Sequence, residues 1–198
     1  MHMQLKIRIF AVLLIASLLG ACSTRETTEN YRGSTSQRLL TYSINDLMTQ
    51  IPESDFKILS GKSVYVESHF IEHSQVLKYA TQRLRLELAG RLNLTLVDSP
   101  SIADYQLDFF FTSLGTDSDT YGLSIPIFWV DTAESSNLDI LAVRLYHGVS
   151  EMYYYVKNRE TGSVKAYPGI IARAKTDRFS TPLFSFPVDN LDEKGFLD

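Results

Sequence analysis

The chain has 198 residues, of which 44% are apolar and 21% are charged. This apolar fraction is typical of a globular protein, and the length predicts one domain, or at most two. The formal net charge of −4 argues against a nucleic-acid-binding protein, because such proteins usually present a basic face. A single cysteine excludes a disulfide framework and any cysteine-rich zinc or iron–sulfur site within one chain.

The first 21 residues have the pattern of a cleaved export signal. Lys6 and Arg8 form a short basic region, and the apolar run 9–19 that follows is interrupted only by Ser17. This run is too short to cross a bilayer, which needs about 20 apolar residues as a helix. The pattern therefore predicts a signal peptide over residues 1–21.

The only cysteine stands directly after this predicted signal. Residues 19–22, LGAC, resemble the bacterial lipobox, in which cleavage after Ala21 frees Cys22 and its thiol carries a diacylglyceryl group. Each buried acyl methylene contributes about 0.8 kcal/mol, so two or three chains anchor a protein firmly. By the sorting rules of Gram-negative lipoproteins, Ser23 implies delivery to the outer membrane. We therefore expect lipidation at Cys22 and a lipid-anchored position at the outer membrane, facing the periplasm.

A flexible tether is predicted between the anchor and the folded body. Residues 23–36 contain one aromatic and no aliphatic residue, so they cannot bury enough apolar surface to offset the entropy of ordering. Residues 22–36 are therefore predicted to form a lipidated tether. Neither a repeat nor a second linker interrupts residues 37–198, which we expect to form a single domain.

The first half of this domain predicts helices and a βαβ unit. Apolar residues at helical spacing indicate a helix over 37–50, before Pro52. Ser74 can cap a second helix that runs to Arg91, between strands at 62–70 and 92–97, and a third strand follows at 105–114. A strand, a helix and a strand joined by short loops form a βαβ unit with a right-handed crossover.

The second half of the domain predicts an antiparallel meander. After a turn that includes residues 117–122, strands are indicated at 123–130, 140–146, 152–157, 164–172 and 181–188. Gly162 is predicted to occupy the left-handed position of the hairpin loop that starts at residue 158. The fold class is therefore α+β, a mixed, mainly antiparallel sheet with helices packed on one face.

This succession of segments resembles a known group of envelope proteins. Residues 61–66, GKSVYV, the Leu- and Arg-rich helix, residues 96–98 and residues 103–107 resemble the periplasmic α/β domain of the TolB amino-terminal, LpoB and CsgG lipoprotein group. With residues 114–117 and the hairpin at 161–162, the chain is similar to a bacterial outer-membrane lipoprotein family of unknown function. The resemblance spans about residues 37–188 and implies a partner-binding module, with no catalytic residue to carry over.

One segment matches an enzymatic motif. His69, Glu72 and His73 fit H-x-x-E-H, in which two histidines one helical turn apart bind zinc and the glutamate activates water. That chemistry requires the motif to lie within a helix, whereas we predict His69 at the end of a strand and the helix only from Ser74. We therefore expect no metal and no cofactor, and a zinc hydrolase remains an alternative.

Two groups of aromatic residues are candidates for binding a protein partner. Because side chains alternate along a strand, Tyr154 is predicted to face the core, while Tyr153 and Tyr155 form a strip on the other face, joined by Tyr146. The apolar segment 123–130 holds the second group, Phe128 and Trp129. Tyrosine is frequent at protein interfaces. Alternatively, another part of the chain covers the strip.

These observations lead to an expected function. We expect a non-catalytic accessory or structural subunit of an envelope assembly, held at the outer membrane by its acyl chains, that binds envelope proteins and not nucleic acid. Self-association through the apolar segment is a further expectation. A carrier of an apolar ligand, such as a lipid or a wall component, is an alternative that requires a sizeable cavity beneath the sheet.

Overall fold

The computed structural model describes residues 24–27, 33–71, 74–128 and 135–187, with side chains for 33–71, 74–122 and 140–186. The helices are α1 (Ser34–Thr49) and α2 (Gln75–Gly90), with 3₁₀ helices at Glu53–Leu59 and Pro100–Ile102. The strands are β1 (Thr24–Thr27), β2 (Ser63–His69), β3 (Thr95–Val97), β4 (Tyr105–Phe128), β5 (Ser135–Asn158), β6 (Val164–Ser180) and β7 (Ser185–Pro187).

The described strands form one mixed sheet in the order β3-β2-β4-β5-β6-β7, and β1 pairs with β4. Strand β2 runs parallel to both β3 and β4, whereas every other pair is antiparallel. The elements β2, α2 and β3 form the expected βαβ unit. The predicted α+β fold class is confirmed.

Helix α2 lies where its sequence signals place it. The Ser74 hydroxyl accepts a hydrogen bond from the backbone N–H of Leu77 at 3.2 Å and so satisfies one free donor of the first turn. The helix ends in a left-handed turn at Asn93, with φ of 52°, and the N–H of Leu94 donates to the carbonyl of Leu88. Because residues 92–94 serve this termination, β3 begins only at Thr95, later than predicted.

Helix α1 begins at Ser34, three residues before the predicted start. Its first turn carries only Ser34, Thr35, Ser36 and Gln37, so the apolar periodicity cannot reveal it. The predicted apolar stripe of Leu40, Ile44, Leu47 and Met48 is buried, and Leu39 and Ser43 are buried beside it.

The hydrophobic core lies between the two helices and one face of the sheet. The sheet contributes Val64 and Val66 from β2, together with alternate residues of β4 and β5, and both helices contribute their buried residues. Burial of each such side chain is worth about 1.5–3 kcal/mol relative to exposure. The other sheet residues of this core are Leu107, Phe109, Phe111 and Leu114 of β4, Met152, Tyr154 and Val156 of β5, and Tyr167 and Ala172 of β6.

Strands β4 and β5 are much longer than the sequence indicates. Each has 24 residues, and together they replace the four shorter strands predicted between 105 and 157. The register shift at Phe111/Ser113 changes which residues of β4 face the core, from odd-numbered before it to even-numbered after it, so the alternating pattern loses its phase. A second shift lies at Leu123/Ser124. Gly122, with φ of 145°, is part of this ribbon and lets the backbone of Leu141 approach closely. The predicted turn at 117–122 is therefore wrong, since these residues belong to β4.

Part of the predicted tether is a strand. Residues 24–27 pair antiparallel with residues 117–120 of β4. Strand β2 pairs with β4 only as far as Phe110, which leaves the edge of the longer β4 open beyond that point. Pairing with β1 satisfies part of this edge. No helix in the described part of the chain is both long and apolar enough to cross a bilayer.

Candidate functional site

Functional candidates gather on the outer face of the sheet, which is the face opposite the helices. Tyr154 is fully buried in the core, whereas its neighbours Tyr153 and Tyr155 are half-buried on the outer face. The alternation predicted for the three consecutive tyrosines is confirmed. Phe110 of β4 lies directly opposite Tyr153 of β5 in the strand register. We call Phe110, Tyr153 and Tyr155 the aromatic strip.

The three rings of the aromatic strip contact one another. The Phe110 ring stacks on Tyr153, with centroids 5.3 Å apart and planes at 9°, and meets Tyr155 edge-on at 5.8 Å. Tyr153 and Tyr155 also meet edge-on, with centroids 5.8 Å apart. Each such pair is worth about 0.5–1.5 kcal/mol beyond its buried area. The strip is therefore held in one arrangement.

A histidine and two carboxylates extend this face toward β2. The His69 ring stacks on Phe110 at 4.5 Å, and His69 Nε2 lies 3.5 Å from Asp108 Oδ1. The potential ligand atoms of Glu67, His69 and Asp108 all lie within 4.8 Å of one another. We call these three residues the acid–histidine cluster.

The register of β2 and β4 brings the acid–histidine cluster together. Val64 and Val66 face the core, so Glu67 and His69 face outward, two residues apart on β2. Asp108 is the partner of Glu67 in the parallel pair, and Phe110 is the partner of His69. The cluster therefore stands on two paired strands and not on a loop.

Gln106 connects the carboxylates of the cluster. Its amide Nε2 donates to Asp108 Oδ1 at 2.9 Å and to Glu67 Oε2 at 3.4 Å. Its own Oε1 accepts from Arg159 Nη1 at 3.5 Å. Gln106 thus fixes the position of both carboxylates with a neutral group. No local sequence signal marks Gln106, Phe110 or the two carboxylates, because only the pairing of β2 with β4 makes them neighbours.

Tyr146 does not join the aromatic strip, contrary to the prediction. It lies an even number of positions from Tyr154 along β5, so both side chains lie on the helix side of the sheet. There Tyr146 packs with Tyr42 against Leu39 and Ala174. Between residues 142 and 156, the even-numbered residues of β5 lie on the helix side of the sheet, so Tyr146 and Tyr153 cannot share a face.

The H-x-x-E-H segment is only partly described. His69 is the last residue of β2, as predicted, and α2 begins only at Gln75. Glu72 and His73 lie outside the described residues. The same holds for Ala21, Cys22 and Trp129, and for the side chain of Phe128.

An apolar groove lies between α1 and α2 and not beneath the sheet. It has a volume of about 250 Å³, is open to solvent, and is lined mainly by Leu40, Ile44, Val76 and Tyr79. Bulky buried side chains fill the helix-facing side of the sheet at its centre, among them Tyr154. The groove is therefore not the cavity that an apolar-ligand carrier requires.

The hydroxyl of Tyr154, whose pKa is strongly raised, has a structural role. The Tyr154 hydroxyl donates to Asp55 Oδ2 at 2.6 Å, inside a stack with Phe56 and Tyr167. Burial, followed by the hydrogen bond to Asp55, raises the pKa of Tyr154 well above its usual range. The hydroxyl points toward the 3₁₀ helix at Glu53–Leu59, away from the outer face. It ties that helix to the sheet.

No protein-family model matches the chain, and a search of the curated proteins finds no match.

The outer face of the sheet brings together three half-buried rings, one imidazole and two carboxylates held by a neutral amide. Aromatic rings are enriched at protein interfaces, where they supply contact area.

Proposed function

We propose that this protein is a lipid-anchored lipoprotein of the outer membrane that binds other envelope proteins and catalyses no reaction. The aromatic strip is its contact surface. Support for the anchor comes from the sequence, in which the only cysteine follows an export signal at the position that a lipobox requires. Support for the binding role comes from the outer face of the sheet.

The observation that carries the proposal is the pre-arranged aromatic strip. Both α1 and α2 pack on the opposite face of the sheet. The rings of Phe110, Tyr153 and Tyr155 hold one another in place, so little side-chain entropy is left to lose on binding. Tyrosine is enriched among the residues that dominate binding energy at protein interfaces.

The neighbouring strand leaves the strip accessible from the side of β6. Ala166 is the partner of Tyr155, and its side chain is small and exposed. At Tyr153 the register between β5 and β6 shifts, and β6 contributes Pro168 and Gly169, which are also exposed. A partner can therefore approach the rings from this side without displacing a bulky residue.

Strand β1 shortens the distance between the body and the proposed anchor. Cys22 precedes Thr24 by two residues, and two extended residues span at most about 7 Å. Because Thr24 is paired with Thr120 of β4, the anchor holds the sheet close to the membrane surface. Confinement at that surface raises the effective concentration of the strip near other membrane-attached proteins.

Crosslinking in intact cells, followed by identification of the captured proteins, tests the binding role. The double variant Tyr153→Ala with Tyr155→Ala is compared with wild type and with Tyr121→Ala, an exposed tyrosine further along β4. We expect wild type and Tyr121→Ala to capture the same proteins, and the double variant to lose more than about tenfold of that product. Equal capture by all three proteins would refute the contact surface, whatever their melting temperatures.

Intact-mass measurement of the membrane-extracted protein tests the anchor separately. We expect a chain that begins at Cys22 and carries the added mass of two or three acyl chains. A Cys22→Ser variant is expected to retain its signal peptide and to lose this added mass. A free thiol at Cys22 in the exported wild-type protein contradicts the proposed anchor, whatever the crosslinking shows.

A further inference from the structure

We propose that Glu67, His69 and Asp108 form a binding site for one divalent transition-metal cation of the zinc type. This site is independent of the proposed partner binding, although it adjoins the aromatic strip. It includes His69 but not through the H-x-x-E-H motif, because its other ligands come from β2 and β4.

The donor atoms have the right types and already converge. One imidazole nitrogen and two carboxylate oxygens lie within 4.8 Å of one another. Donors around a tetrahedral zinc ion, at about 2.0–2.2 Å from the metal, lie about 3.3–3.6 Å apart. Rotation of the Glu67 and Asp108 side chains can supply the remaining contraction, while the paired backbones of β2 and β4 stay in place.

The charge of the cluster favours a cation. In the described part of the chain, neither Glu67 nor Asp108 forms an ion pair with a lysine or an arginine. Their polar side-chain partners are the neutral amide of Gln106 and the imidazole of His69. Two carboxylates at this separation repel each other, and a divalent ion placed between them removes the repulsion.

The surroundings of the cluster fit a metal site. The side chain of Asp108 is 19% exposed and that of His69 is 37% exposed, so an ion can enter from one side. Gln106 donates to both carboxylates and is itself held by Arg159, as an outer residue that orients metal ligands would be. The Phe110 ring fixes the plane of His69 by stacking.

The ligand set points to a class of metal. Imidazole nitrogen suits zinc and the neighbouring transition metals, whereas calcium takes six to eight oxygen ligands and magnesium keeps several waters. Three protein ligands leave at least one coordination position for water. We therefore expect zinc to bind more tightly than calcium or magnesium.

Calorimetric titration of the purified full chain with zinc chloride tests the site. His147→Ala is a matched control, because His147 Nε2 lies 3.8 Å from Asp119 Oδ2 in a similar pair elsewhere on the outer face. We expect one zinc ion per chain for wild type and for His147→Ala. The affinity is expected to fall more than tenfold in His69→Ala and in Asp108→Asn, with calcium and magnesium giving no comparable binding.

Thermal unfolding provides the second readout. Zinc is expected to raise the melting temperature of wild type and His147→Ala but not that of His69→Ala. If His69→Ala or Asp108→Asn fails to fold, Glu67→Gln replaces it as a ligand variant, because it keeps the shape of the side chain. Equal zinc affinity in wild type and both ligand variants overturns the site, as does absence of stoichiometric binding to the folded wild type. Neither result would bear on the aromatic strip as a partner surface.

Discussion

The two faces of β4 and β5 carry the same kinds of residue but differ in how deeply those residues are buried. On the helix side, Phe109 and Tyr154 are fully buried, while one residue away Phe110 and Tyr153 are only half-buried on the outer face. Both pairs consist of directly opposed aromatic residues of β4 and β5. The helix-side pair is surrounded by core residues, whereas the outer pair meets only its own strip and His69 among the described ring contacts. A single pair of strands therefore supplies the core on one face and a proposed recognition surface on the other.

The largest effect is expected from truncating the two neighbouring phenylalanines. Phe109→Ala opens a cavity beside Tyr154 and is expected to lower the free energy of unfolding by about 3–5 kcal/mol. Phe110→Ala removes half-buried surface and two ring pairs, with Tyr153 and Tyr155, so a smaller loss of about 1–3 kcal/mol is expected. Urea denaturation of both variants measures the difference. Equal losses would mean that the outer face is as well covered as the core.

Within the core, the hydrogen bond of Tyr154 is expected to make the second largest contribution to stability. Tyr154→Phe removes the donor to Asp55 Oδ2 and is expected to cost about 1.5–3 kcal/mol at neutral pH, the range for a hydrogen bond to a charged group. Burial and the contact with Asp55 raise the pKa of Tyr154 in the folded state above its ordinary value of 10.0. The stabilisation from the neutral hydroxyl is therefore complete below about pH 10 and decreases as the pH rises further.

The pH dependence of the two proteins checks this account of Tyr154. Wild type is expected to lose stability steeply above about pH 10, and Tyr154→Phe to lose less over the same range. Urea midpoints measured between pH 7 and about pH 11 give the two curves. Parallel curves would show that this hydroxyl does not control unfolding at high pH.

The exposed hydrogen bonds between Asp104 and Ser63, at the start of β4 and β2, are expected to contribute least to stability. Asp104 Oδ2 accepts from the backbone N–H of Ser63 at 2.8 Å and from its hydroxyl at 2.9 Å. These hydrogen bonds, the backbone one first, lower the pKa of Asp104. Its contribution is present above the ordinary pKa of an aspartate and is lost as the pH falls through the lowered value.

Asp104→Asn should therefore have the smallest effect of the series. We expect a slight decrease in the melting temperature at neutral pH, and a smaller difference from wild type as the pH falls below about 4. Differential scanning calorimetry at several pH values measures the trend. A difference that grows toward acid pH would contradict the assigned direction of the pKa shift.

Local sequence signals predicted most of the first half of the fold. Ser74 and the apolar spacing of α2 fixed that helix within a residue or two, because a cap and a buried stripe are local properties. The signals failed along β4, where Gly122 and the acids at 117 and 119 favour a turn. There the pairing with β5 continues through two register shifts, which local alternation cannot anticipate.

The candidate site shows the same division. The outward position of Tyr153 and Tyr155 follows from alternation around Tyr154, and the structure agrees. The meeting of His69 with Asp108, 39 residues apart, does not follow from any local pattern. It requires the parallel pairing of β2 with β4 in one particular register. A shift of that register by one residue would separate His69 from Asp108.

By itself, the sequence determined the α+β class, the cap of α2, the core stripes and the alternation of the tyrosines, because each depends on residues a few positions apart. Tertiary structure alone decided how far β4 and β5 extend, that residues 24–27 join the sheet, and which residues stand beside the aromatic strip. The physical reason is that strand pairing is a long-range interaction. Its register is set by the packing of a whole face and not by the neighbours of any one residue.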